Sequence, residues 1–513
     1  MVCVALTLTS AEVLVSVKLR RSHKRARRQL AGNLLGHVPH PAAGLQNMDN
    51  VYYYGYVDLG NGTGKDRQTF RLIFDTGSTD LWIPSVSCKA CVSKKFDPSK
   101  SGTFQKDGRA FSDLYGSGNV SGLIGNDVVR LSGWPSQYTA ENVYFGMVSR
   151  EGKRLNNLVA DGIIGMAFPD LASIQPPRTG TLGEYDTPIG KILQRLQSQG
   201  VAPKFSVFLN FDNEVKGGTD AGPESQIIFG GYKEGLSKDG PNATFFYSKV
   251  LEVCKGCGYG YWLVNLPMVE VGGDELCGIN GRGVRGCTAV LDTGTSFLGV
   301  PEHAWDLFLD TIVAGNKAKP SGGSGRAICQ PCQGIANICC TSCDPHTFDH
   351  SCYNSIMFSI EDAKRDRKSG KKAFFTLEVE PSEYLLADGG TRGFILLAEK
   401  TSNFNFGKPS WLLGDVFLRR YYTMFDYGAK EVGFMALSPH EGTLPDLGYS
   451  FMDYLFFAVV GLIVGVLIAF LILSGYTVVS RIAWKWKAKA GLASAVAPSA
   501  RTGQQTREDY VQL

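Results

Sequence analysis

The tripeptide Asp-Thr-Gly occurs twice in this chain, and each copy ends an apolar run. The first lies in Phe74-Asp75-Thr76-Gly77-Ser78-Thr79-Asp80-Leu81-Trp82, after the β-like stretch from Phe70 to Phe74. The second lies in Val290-Leu291-Asp292-Thr293-Gly294-Thr295-Ser296. One such tripeptide arises easily by chance; two, each entered from an apolar stretch and left through Ser or Thr, do not. The repetition implies two related lobes, each bringing one carboxylate to a shared site. A strand ending in a tight turn presents the Asp, Gly allows close backbone approach, and Thr and Ser hydroxyls bond backbone and carboxylate. As a general rule, two carboxylates about 3 Å apart share one proton, so that one acts as base and the other as acid. A water held between them becomes the nucleophile, with no covalent intermediate.

Other segments fall around these two in a definite order. Tyr115-Gly116-Ser117-Gly118 lies between them, followed by Ala160-Asp161-Gly162-Ile163-Ile164-Gly165. After the second copy come Trp411-Leu412-Leu413-Gly414-Asp415 and the run from Phe417 to Asp426. In this order the segments resemble the pepsin-family aspartic proteases. The resemblance spans about Val51 to Leu437, with a flap hairpin, paired apolar-apolar-Gly segments cradling each catalytic loop, and a C-terminal strand pair.

That resemblance implies a mostly β, bilobal pepsin-like fold with the active-site cleft between two lobes. It implies Asp75 and Asp292 as the catalytic pair, with Asp292 the initial base and Asp75 the acid. Tyr115, Gly116 and Ser117 would form the flap over the substrate, with Gly77, Gly294 and Thr295 in the binding site. Thr76 and Thr293 would brace the two loops, Ser78 and Thr295 would bond the carboxylates, and Trp82 would hold Tyr115. A small disulfide Cys88–Cys91 and a bridge Cys277–Cys287 are common at these places in the family, and Cys254–Cys257 reads as a further local pair. No cofactor or metal is expected.

The implied organisation is a leader over 1–43, an N-terminal lobe over 44–228 and a C-terminal lobe over 229–438. A Cys-rich insert at 315–352 interrupts the second lobe, and a stalk over 439–453 follows it. The insert carries Cys329, Cys332, Cys339, Cys340, Cys343 and Cys352. Its two Cys-x-x-Cys units stand closer together than in common zinc ribbons, so disulfides are the preferred reading. Six cysteines allow fifteen pairings, and the sequence does not choose among them. The insert reads as a stapled surface loop, with a partner-binding or cleft-shaping role as the alternative.

Charge divides the chain. Residues 1–43 carry seven Lys/Arg against Glu12, and residues 481–513 carry six against Glu508 and Asp509, whereas the whole chain is only +4. The body between them is therefore net acidic, which argues against nucleic-acid binding. The basic leader from Val17 to Gln29 suits docking on an acidic cleft and resembles a pepsin-type pro-segment, shorter than usual. Arg25-Ala26-Arg27-Arg28 resembles a proprotein-convertase site, and a solvated basic run is the plainer reading. Residues 1–17 make a poor signal peptide, because Glu12 interrupts the apolar run and no basic residue precedes it.

Residues 454–480 contain no charged side chain and include the nearly all-apolar stretch from Leu455 to Leu473. Such a stretch is long enough to span a bilayer as a helix. Arg481, Lys485, Lys487 and Lys489 follow at once, which by the positive-inside rule puts the tail in the cytosol and the protease domain in the lumen or outside. Twelve of the 13 cysteines lie between Cys88 and Cys352, on that side of the span, as disulfides made in the secretory pathway require. The expected placement is single-pass, in the secretory or endomembrane system. The end of the tail, Tyr510-Val511-Gln512-Leu513, resembles a tyrosine-based sorting signal read by coat adaptors, or is a passive tail.

Asn61-Gly62-Thr63 and Asn242-Ala243-Thr244 are the preferred glycosylation sequons; Asn119-Val120-Ser121 lies at the flap, where a glycan would hinder closure. The leading expectation is a membrane-anchored aspartic endopeptidase, a monomeric catalytic unit acting on secretory or membrane polypeptides at acidic pH. The alternative is a binding protein or receptor that has kept the fold and lost catalysis. A metalloprotein centred on the insert is a weaker third, since no His-Glu-x-x-His occurs and the chain has only seven His.

Overall fold

The computed structural model describes residues 52–437, together with the strands Val15–Lys18 and Gln46–Met48. It omits 116–117, 153–154, 156–157, 159, 176–182, 210–224, 234–243, 279–285, 313–329, 332–338, 342–349, 351–352, 366–371, 388–393, 402–405 and 407. The expected membrane span, stalk and tail lie outside the described residues. So do Gly116, Ser117, Asn242 and most of the Cys-rich insert. No helix among the described residues is long and apolar enough to cross a membrane.

The described chain is mostly β, in five sheets. The strand Thr69–Asp75 lies inside an eight-stranded sheet. It runs antiparallel to Tyr52–Leu59 on one side and parallel to Gly162–Gly165 on the other, with Asp75 opposite Gly165. Gly162–Gly165 then pairs antiparallel with Leu81–Pro84, which pairs parallel with Ala140–Glu151. The chain thus leaves Asp75, turns, and returns with one strand interposed. The same wiring recurs in a five-stranded sheet. There Cys287–Leu291 is antiparallel to Leu263–Leu266 and parallel to Ser410–Leu413. Ser410–Leu413 pairs antiparallel with Leu298–Pro301, itself parallel to Ala398–Thr401. The duplication seen in the sequence is a duplication of strand order.

These central strands are covered on both faces, which is why they read as unbroken apolar runs and not as alternations. Every residue of Gly162–Gly165, Cys287–Leu291 and Ser410–Leu413 is buried. Two helices cover the sheets. Pro188–Gln197 buries Ile189, Ile192, Leu193 and Leu196, the one-face spacing of an amphipathic helix. The Thr187 side chain caps it by accepting from Gly190 N at 3.1 Å, and proline follows at the first helical position. Glu302–Thr311 buries Ala304, Phe308 and Leu309.

A six-stranded sheet joins the two halves, in the order Val15–Lys18, Gln226–Phe229, Lys204–Phe208, Tyr421–Asp426, Glu431–Ala436, Phe246–Lys249. Its middle pairing, Lys204–Phe208 with Tyr421–Asp426, links segments from opposite halves of the sequence and stacks Phe205 on Phe425 at 5.0 Å. The expected lobe boundary at 228/229 falls within the strand Gln226–Phe229. The insert also contributes backbone to regular structure. Gln330–Pro331 and Cys339–Thr341 form half of a four-stranded sheet with Leu385–Ala387 and Phe394–Leu396.

Trp262 sits at the centre of the junction, fully buried. Its ring packs on Phe168 at 4.3 Å and Phe425 at 5.0 Å, and its indole N–H donates to Met166 O at 3.0 Å. Trp262→Ala is therefore expected to lower unfolding stability by about 3–5 kcal/mol, measured by chemical denaturation, with Trp262→Phe intermediate because only the hydrogen bond and part of the volume are lost.

Candidate active site

Each Asp-Thr-Gly lies at the end of its central strand, Asp75 as the last strand residue and Asp292 just after Leu291, where the chain turns out of the sheet. Ser78 N donates to Asp75 O at 3.4 Å, and Thr295 N to Asp292 O at 3.3 Å, so both turns close in the same way. The turns meet face to face through their threonines. Thr76 N donates to Thr293 Oγ1 at 3.0 Å, and Thr293 N donates to Thr76 Oγ1 at 2.9 Å. Each hydroxyl in turn donates to the main chain of the opposite strand. Thr76 Oγ1 reaches Leu291 O at 2.7 Å, and Thr293 Oγ1 reaches Phe74 O at 2.5 Å. Four reciprocal hydrogen bonds thus fix one loop against the other, and all are buried.

The carboxylates are held by matched donors. Asp75 Oδ1 accepts from Gly77 N at 2.8 Å and Asp75 Oδ2 from the Ser78 hydroxyl. Asp292 Oδ1 accepts from Gly294 N at 2.8 Å and Asp292 Oδ2 from Thr295 Oγ1 at 2.6 Å. The glycines also explain why the third position admits nothing larger. A Cβ on Gly77 would stand 2.5 Å from Asp292 Cγ, and one on Gly294 would stand 2.4 Å from Asp75 Oδ1. Each carboxylate therefore lies over the glycine of the opposite loop.

Asp75 and Asp292 are both buried, at 6% and 8% exposure. Burial, followed by the negative charge of Asp292, holds the Asp75 carboxyl well above the ordinary carboxylate range; Ser78 and Gly77 pull it only partly back. The pair therefore keeps a proton well above the pH at which an isolated aspartate loses it. A site that has one carboxylic acid beside one carboxylate can both donate and accept a proton.

The hairpin of Gln105–Tyr115 and Gly118–Leu131 pairs Tyr115 with Gly118 across the undescribed 116–117. Trp82 Nε1 donates to the Tyr115 hydroxyl at 2.9 Å. That hydroxyl donates to Asp113 Oδ2 at 2.9 Å. Tyr261 and Asp80 also belong to this neighbourhood, and sequence reading overlooked both of them and Asp113. Tyr261 is pushed up to about 12, first by burial and then by Asp292, Asp75 and Asp113. Asp80 is pushed up to about 7, mainly by burial, although its carboxylate accepts from Ser173 N at 2.7 Å and Ile174 N at 3.2 Å. Asp80 stood within the first repeated segment, and Asp113 shares a strand face with Tyr115 at two-residue spacing. Nothing in the sequence pointed to Tyr261.

The family model for eukaryotic aspartyl proteases matches residues 52–437, about three-quarters of the chain. This chain belongs to that family. It is 29% identical over 386 residues to gastricsin of Callithrix jacchus, covering 74% of this chain and 80% of the relative. It is 29% identical to pepsin A of Bos taurus, covering 76% and 85%, and 28% identical to cathepsin E of Aquarana catesbeiana, covering 78% and 83%. As an aspartyl protease, the chain is an aspartic endopeptidase, a hydrolase of peptide bonds.

Elsewhere in the protease, Cys88–Cys91, Cys254–Cys257 and Cys277–Cys287 are all bonded in pairs. The last pair lies close to His303 in a grouping with metal-ligand spacing, but a disulfide leaves no thiolate to bind an ion. Asn61 is exposed, and its Oδ1 accepts from Gly102 N at 2.8 Å.

Removing either threonine hydroxyl strands a buried N–H and a buried C=O on the opposite loop. Thr76→Val and Thr293→Val are each expected to cost about 2–4 kcal/mol of stability and to lower cleavage sharply. The double variant should cost clearly less than the sum, because the two side chains share one network. Thr→Ser at either position should recover most of the loss.

Proposed function

We propose that the protease is a membrane-anchored endopeptidase that processes secretory or membrane polypeptides in an acidic compartment. The observation that carries the chemistry is the reciprocal threonine network, which sets Asp75 and Asp292 against each other's loops. An extended peptide would lie between the two halves beneath the hairpin that bears Tyr115. Asp292, as the carboxylate, takes a proton from a water held between the acids. Asp75, as the acid, gives its proton to the scissile carbonyl oxygen as the water oxygen attacks the carbonyl carbon. The tetrahedral diol collapses when the leaving nitrogen takes the proton from Asp292 and Asp75 regains its own. The raised Asp75 carboxyl supports this division of labour, although the pair titrates as one unit.

The acidic setting has support beyond the pair. Glu383 is pushed up to about 7 by burial, as is Asp80, and Asp415 well above its ordinary value. Among the described residues nothing donates to Asp415 Oδ1, and the Arg419 charge pulls this carboxyl only partly back. Raised values in the folded state mean that folding retains protons that the unfolded chain releases between about pH 4 and pH 7. Stability therefore falls as pH rises through that window.

Anchoring rests on the uncharged stretch 454–480 with its following basic residues, and on cysteines confined to one side of it. A tethered protease meets membrane and lumenal substrates at high local concentration, which favours limited processing over bulk digestion. Removal of the basic leader would precede activity, and Tyr510 to Leu513 would direct traffic through a coat adaptor.

Detergent-solubilised protein with its leader removed is expected to cleave a diverse peptide pool with an acidic optimum, to lose cleavage in Asp292→Ala and to be blocked by a statine-type mimic. Its thermal midpoint should drop between about pH 4 and pH 7. Flat activity into mildly alkaline pH would contradict the acidic setting, and a folded, processed protein with no cleavage would transfer the case to a binding role.

A further inference from the structure

An aspartate at position 113 runs against the local rules of its strand. Asp is disfavoured in strands, and here it sits on the inward face of the hairpin, half-buried beside other acids. Alternation places residues 113 and 115 on one face, while Leu114 between them is 81% exposed and points to solvent. Burial raises the Asp113 carboxyl, and the Tyr115 hydroxyl and Leu114 N pull it only partly back. A residue that costs stability on two counts needs a compensating contact.

That contact is the Tyr115 hydroxyl. A phenol has one hydrogen to give. Trp82 Nε1, on the strand Leu81–Pro84 of the sheet body, donates to the oxygen at 2.9 Å. The hydrogen is then directed to Asp113 Oδ2 at 2.9 Å, while Asp113 Oδ1 is itself fixed by Leu114 N at 2.9 Å. The tyrosine is gripped from both sides, by a donor on the sheet and by an acceptor on its own strand. The Trp82 bond alone leaves the phenol hydrogen without an assigned acceptor. With Asp113 present, the hydroxyl is tied to both the flap and the floor of the cleft.

We infer that Asp113 is a positioning residue for the flap: it orients the Tyr115 hydroxyl between Trp82 and its own carboxylate, and thereby sets how the hairpin closes over the peptide. This inference rests on the endopeptidase reading and extends it to a residue outside the repeated segments. Asp113 acts through Tyr115 and not on the reacting atoms.

The test compares Asp113→Ala, Asp113→Asn, Tyr115→Phe and the double Asp113→Ala/Tyr115→Phe in detergent-solubilised protein whose leader has been removed, with kcat and KM measured on one fluorogenic peptide. Misplacing a closing element by about 1 Å costs on the order of a hundredfold, so Asp113→Ala is expected to lower kcat roughly ten- to hundredfold with KM little changed. Asp113→Asn, whose carboxamide oxygen still accepts, should restore most of kcat. Tyr115→Phe should match Asp113→Ala, and the double variant should be no slower than Tyr115→Phe. Thermal midpoints and statine-mimic binding verify that each variant is folded. Full activity in Asp113→Ala, additive losses in the double variant, or an Asn variant as slow as Ala would each overturn the role while leaving the protease reading intact. A wild-type protein that cleaves nothing would overturn both.

Discussion

The structure depends on two threonine side chains that each reach into the other half of the molecule. Thr76 and Thr293 exchange main-chain N–H bonds and return their own hydrogens to Leu291 and Phe74. No other residue type fits this role as well. Serine could make the bonds but lacks the methyl that fills the buried turn, and valine fills the space but strands four polar atoms across the pair. Because the bonds are reciprocal, neither carboxylate is placed by its own half alone. The six-stranded sheet and the Trp262 cluster bring the halves together over a broad surface. The threonines convert that approximate approach into a fixed relation between two acids.

Once the acids are fixed, burial decides their chemistry. A carboxylate pair in water would simply ionise. Here Asp75 keeps a proton because desolvation and Asp292 both penalise its charge, while Ser78 and Gly77 supply enough hydrogen bonding to hold the group in place without fully stabilising the anion. Burial likewise raises Asp80 and Asp415, against backbone hydrogen bonds at Asp80 and the Arg419 charge at Asp415. The region around the cleft is thus an acid-adapted interior, in which the cost of buried carboxyls is smallest when they are neutral.

The repeated Asp-Thr-Gly, the hairpin with Tyr115 and the two apolar-Gly segments were legible in the sequence because each is a local signal. A strand buried on both faces reads as an apolar run, and a turn that must admit a carboxylate requires glycine. Of the three disulfide pairs, Cys88–Cys91 and Cys277–Cys287 followed from the family resemblance and Cys254–Cys257 from its short loop. What the sequence did not show depends on packing between distant segments. Tyr261, just ahead of the strand Leu263–Leu266, gains its place only when that strand pairs with Cys287–Leu291, which leads into Asp292. The strand Gln226–Phe229 belongs to a sheet shared by both halves, and the expected lobe boundary falls inside it. Asp113 was hidden in plain view: period two from Tyr115 marked it, but only the hydrogen bond gave it a use.

The central claim is that Asp75 and Asp292 form one proton-sharing unit assembled across two halves. The measurement that bears on it most directly is kcat for Asp75→Asn, Asp292→Asn and the double Asn variant, each verified as folded, on one peptide at acidic pH. If the pair acts as a unit, each single variant falls to within a few-fold of the double, since one amide already removes the shared proton. A single variant that retains substantial cleavage, with the double falling much further, would mean that the two acids act independently and would contradict the account.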